Sequence, residues 1–133
     1  MNYKSYSKDV EKALDKAAYK ALYAIGLDLV RFGSLIITAN GNIDTGRLRA
    51  SITAIVESDP IENDRYKSQQ NPDDVPNGNA GKKTLQYGTN VEYGWKIEKR
   101  FPFLKPAFLM NKEVFQKHLD NIYQEVLNEH KWY

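Results

Sequence analysis

Apolar residues recur every three or four positions along the first third of the chain. Val10, Leu14, Ala17, Ala21, Ile25, Leu29, Phe32 and Ile36 form one stripe, which predicts an amphipathic helix over about residues 7–38. Ser7 or Asp9 can cap its start, and Asn40-Gly41-Asn42 ends it. Gly26 and Gly33 fall inside, and each weakens the helix by roughly 1 kcal/mol relative to Ala. They mark places for a bend or for close packing. Lys4, Lys8, Lys12, Lys16 and Lys20 run off the stripe and read as a solvated face, with a row facing DNA as the sharper alternative. The most apolar part, Leu22 to Ala39, is interrupted by Asp28 and Arg31. It reads as a buried helix face and not as a membrane span.

Beyond Asn42 the period changes. Ile52, Ala54 and Val56 alternate with Thr53, Ile55 and Glu57, which predicts a strand over residues 51–58. Ile55 breaks the one-sidedness, as expected where both faces of a strand are covered. Residues 59–83 hold three of the five prolines and few apolar side chains. Asn71-Pro72, Val75-Pro76 and Asn77-Gly78 predict a long flexible loop that can order against a neighbour. From Leu85 to Ile97 the odd positions are mostly apolar and the even ones polar or glycine. That predicts two strands around a turn at residues 88–90, with a short helical turn around Tyr93 as the rival. Phe101-Pro102 and Lys105-Pro106 predict a stiff connector, with Pro106 in the first turn of a helix. Phe108, Phe115, Leu119, Ile122 and Val126 continue that helix to about Asn128. The expected fold is α+β: a long N-terminal helix, a small antiparallel sheet and a C-terminal amphipathic helix, in one domain over residues 1–133.

Composition narrows the function classes. A net charge of +2 does not by itself argue for nucleic acid, but Lys82 to Lys105 hold six Lys or Arg against two Glu. That stretch is a candidate basic face, and a small nucleic-acid-binding module is one functional alternative. The chain has no cysteine, hence no disulfide framework and no thiolate metal site. The first residues carry no apolar run of the signal-peptide kind. Nine tyrosines suit surfaces that are apolar on one side and wet on the other.

Catalytic constellations are weak. Asp44-Thr45-Gly46 matches the Asp-(Thr/Ser)-Gly of aspartic proteases, which pair two carboxylates around one proton. That chemistry needs the Asp at the end of an apolar strand in a mostly β chain, and Asn40-Gly41-Asn42-Ile43 precedes it here. Asp44 or Thr45 reads better as a cap for backbone N–H groups. His118 and His130 are twelve apart, and Asp73-Asp74 has no ligand pattern, so no metal or cofactor is expected. Ser51 has no evident His partner. Glu98, beside Lys96, Lys99 and Arg100, reads as an ion-pair partner before a general base.

Two stretches carry a family resemblance. Asp44-Thr45-Gly46-Arg47-Leu48-Arg49-Ala50-Ser51-Ile52 stands upstream of Tyr93, Glu98 and Phe101-Pro102-Phe103-Leu104-Lys105-Pro106-Ala107. In this order, followed by a helix, they resemble the head–tail joining or tail-completion proteins of long-tailed bacteriophages and prophages. The chain departs from that family at Asn42, where a proline is usual, and at Lys99-Arg100, where an aromatic-glycine pair is usual. The resemblance implies a non-enzymatic virion protein, assembled in the bacterial cytoplasm as a ring, commonly sixfold, around the DNA path and beside other neck or tail proteins. It implies fold and assembly roles for Asp44, Thr45, Gly46, Leu48, Arg49, Ser51, Ile52, Tyr93, Glu98, Pro102, Phe103, Leu104, Pro106 and Ala107. Arg47, Arg49, Lys96, Lys99 and Arg100 are the candidates for contact with a neighbouring subunit or DNA.

Overall fold

The N-terminal stripe folds as one helix, α1 (Tyr3–Ala39), in the computed structural model, which describes residues 3–39, 46–100 and 102–129. At 1.5 Å per residue it is about 55 Å long. After it come α2 (Gly46–Ser51), β1 (Thr53–Val56), β2 (Asp59–Ile61), β3 (Leu85–Gly88), α3 (Gly94–Arg100), α4 (Leu104–Met110) and α5 (Lys112–Glu129). Two 3-10 turns, Asp64–Gln69 and Pro72–Asp74, lie between β2 and β3. The fold is α+β, as expected from the sequence.

Helix α1 is gripped from two sides. Ile25 and Leu29 pack with Ala107 of α4 and Phe115 of α5, and Phe32, Ile36 and Leu119 close over them. Val30 and Ile37 meet the sheet and α2 through Ala54, Val56, Ile61, Leu48 and Ile52. The predicted stripe names the first side; the second is wider than a single stripe. On length and composition alone the part from Glu11 to Ala39 is apolar enough to cross a membrane. In this fold it is the core helix, covered by the sheet and by α4 and α5.

The sheet has the order β2-β1-β3, antiparallel throughout. All four residues of β1 are buried, so both its faces are covered and the Ile55 exception is explained. Gly26 sits where all three strands cross α1. A Cβ there would lie 2.6 Å from Ile61 Cδ1, 3.1 Å from Leu85 Cδ1 and 3.2 Å from Ala54 Cβ. Gly33, seven residues on and so on nearly the same face, would meet the Tyr87 hydroxyl at 2.6 Å. Both glycines serve close packing, not a bend. Burial pushes the pKa of the Tyr87 phenol upward.

Three sequence expectations change. Residues 59–83 are not structureless: they contain β2 and two 3-10 turns, and Asn63 and Asp74 are buried. Pro60 pairs opposite Ile55 on an edge strand, where a missing N–H is tolerated. The two-residue connection places Glu57 at a φ of 56°, the left-handed sign that tight hairpins favour. The second strand expected after residue 90 is instead the helical rival. The Thr89 hydroxyl accepts from the Val91 N–H (3.1 Å) and starts the turn that leads into α3. Finally, the C-terminal helix begins at Leu104, breaks at Asn111 (φ −114°, ψ 12°) and resumes as α5.

Candidate functional site

Helix α2 carries most of the first motif. Leu48 and Ile52 are fully buried in one cluster with Val91 and Phe103, and Tyr93, Ile97 and Leu104 pack against it. Stretches about fifty residues apart in sequence thus meet in a single core. Asp44 and Thr45 lie outside the described residues; Gly46 opens α2.

A six-residue helix cannot satisfy its last carbonyls internally. Side chains do it here. Ser51 Oγ donates to Leu48 O (2.7 Å) and shares a hydrogen bond with Thr89 Oγ1. Asn63 Nδ2 donates to Arg49 O (2.8 Å) and to Ser34 Oγ (2.6 Å). Gln70 Nε2 donates to Ala50 O (3.0 Å). Segment 62–70 is therefore stitched to α2 by amides.

Arg47 and Arg49 both reach residues between β2 and β3. Arg47 holds Asp74 with two parallel bonds, Nε to Oδ2 and Nη2 to Oδ1, both 2.7 Å. The guanidinium holds the Asp74 carboxyl below its ordinary pKa range, outweighing the opposing effect of burial. Arg47 also lies 3.8 Å from Glu92 and over the Tyr93 ring. Arg49 donates to Thr38 Oγ1 (3.2 Å) and stacks over Tyr66 at 4.7 Å. Both cations are thus engaged within the chain. Asp74 and Asn63 were missed from sequence because polar residues in a proline-rich run carry no periodic signal.

Glu98 has a different role from the one its neighbours suggest. Its Oε2 accepts the N–H groups of Phe103 (2.8 Å) and Leu104 (2.9 Å), and its Oε1 accepts that of Lys105 (3.0 Å). It caps the start of α4 instead of pairing with Lys96, Lys99 or Arg100. Pro106 sits in the first turn of α4, where a missing N–H is tolerated. Phe103 and Ala107, four apart, are fully buried, while Pro102 is exposed. The second motif therefore builds a capped helix start docked on α1.

Two outward faces lie on the C-terminal half of the fold. On α3, Trp95 is 64% exposed, Lys96 Nζ lies 5.7 Å from its ring centroid, and Lys99 and Arg100 are exposed. At the α4–α5 corner Phe108, Leu109, Met110 and Val114 are exposed, Met110 by 78%. His118 Nε2 meets Asp28 Oδ2 at 2.9 Å and ties α5 to α1; His130 lies outside the described residues. Among the described residues no cluster of three or more His, Asp or Glu is placed to hold a metal. No family model, no curated protein and no solved structure matches the chain.

Proposed function

We propose that this chain is a structural subunit of a phage or prophage particle that completes the tail or neck and joins head to tail. Copies form a ring around the DNA path, sixfold as is common in the family it resembles, and contact other neck or tail proteins. The observation that carries assembly is the apolar corner where α4 meets α5. Phe108, Leu109, Met110 and Val114 are exposed close together in sequence, and exposed apolar side chains grouped in this way suit a protein neighbour. The motif residues support the same reading as framework: they cap, turn and fill the core that presents this corner.

The test is deletion of the reading frame from the phage or prophage that carries it, with the lysate imaged by electron microscopy. Filled heads lying apart from tails support the joining role; normally joined particles overturn it. Complementation with Met110→Glu separates surface from fold. The variant should keep its helical circular dichroism and fail to restore joined particles, since a charge at the centre of an interface removes the apolar contact.

A further inference from the structure

We infer that the outer face of α3 binds single-stranded nucleic acid, with Trp95 stacking on a base and Lys96, Lys99 and Arg100 holding phosphates.

The first support is how the structure sorts the charges. Of the six cations between Lys82 and Lys105, Lys82 and Lys83 each lie 3.0 Å from Asp15 of α1 and share its one carboxylate. Lys96, Lys99 and Arg100 have no carboxylate partner among the described residues. The one carboxylate within α3, Glu98, is turned to the α4 N–H groups. Glu92, just before the helix, leans to Arg47. The outer face is therefore cationic without a compensating acid, a condition for attracting a polyanion.

The second support is the indole. Trp95 is exposed, yet its helix is fixed: Val91 and Gly94 are buried, and Ile97 packs on the core. Trp95 and Lys99 are one turn apart, as are Lys96 and Arg100, so aromatic and cationic groups lie side by side. An aromatic platform flanked by cations is the recurring solution for unpaired strands. A duplex hides its base faces in its own stack and offers the indole nothing to cover.

A labelled oligothymidylate of about 20 nucleotides, titrated by fluorescence anisotropy at several salt concentrations, tests this. Three engaged cations give a log–log salt slope of about −2 on a single strand. Trp95→Ala should weaken binding roughly 5- to 150-fold, and Trp95→Phe should restore part of the loss. Lys99→Ala with Arg100→Ala should flatten the slope by about 1.4. In a Trp132→Phe background the remaining indole fluorescence should be quenched on binding. Unaltered circular dichroism establishes that each variant is folded. Absent binding at low salt, unchanged affinity in Trp95→Ala, equal affinity for a duplex, or binding to anionic lipid vesicles in place of the oligonucleotide would each overturn the assignment.

Discussion

The α1–sheet–α4–α5 core and the segment from Glu62 to Lys83 are held by opposite means. The core is apolar: Ile25, Leu29, Ile37, Leu48, Ile52, Val56, Phe103 and Phe115 are nearly or fully buried. The segment is fixed by polar groups: Asn63, Gln70, Asp74 and the Lys82–Asp15 and Lys83–Asp15 pairs. Hydrophobic periodicity finds the first and passes over the second. A proline-rich polar run can therefore be an ordered part of a fold when its side chains complete the backbone of something else.

The largest effect should come from the core. Phe103→Ala removes a fully buried ring shared by both motif stretches and should cost about 3–5 kcal/mol, read as a lower denaturant midpoint for the whole domain. A loss confined to α4 would break the picture of one shared core.

Next is Asn63→Ala. It removes the only donor to Ser34 Oγ among the described residues and leaves Arg49 O with just the long bond from the Ile52 N–H (3.4 Å), and should cost about 1–3 kcal/mol. Amide exchange should speed up across residues 62–75 more than in α1. Equal acceleration in both regions would mean that they are not held separately.

Gly26→Ala pits two effects against each other. The helix gains roughly 1 kcal/mol, but overpacking costs about 1–3 kcal/mol. Ile61 Cδ1 can swing away from the new methyl, whereas Ala54 Cβ on the central strand cannot. A net loss of about 1 kcal/mol is expected; a rise in Tm would show that the sheet yields at this crossing.

Asp74 gives the segment a pH signature. Its pKa is lowered in the folded state by Arg47, so its contribution is fully present above the unfolded carboxylate value near 3.8. It is lost as pH falls through the lower folded value. Limited proteolysis between residues 62 and 83 should therefore accelerate on acidification, and Asp74→Asn should show fast cleavage already at neutral pH. At the small end stands Lys82→Ala. Lys82 is exposed and Lys83 also reaches Asp15, so the Tm should not change measurably.

Several features are legible in the residues themselves. The α1 stripe follows from local spacing, because one-sided burial imposes a period on the chain, and the apolar, β-branched run of β1 and the proline-started helix after residue 102 are local signals too. The pairing of the two motif stretches is also visible as order along the sequence. Tertiary structure decided the rest. Residues 91–97 carry both a strand and a helix pattern, and the helix forms where Thr89 caps it and Gly94 lies close beneath Leu48. Glu98 sits among cations in sequence yet turns to three backbone N–H groups that only the folded α4 start presents. Asp74 finds Arg47 across 27 residues, and Asn63 finds Ser34 across 29. A period is local and survives in the sequence, whereas a polar group's partner is chosen by whichever distant group the fold brings within 3 Å and shields from water.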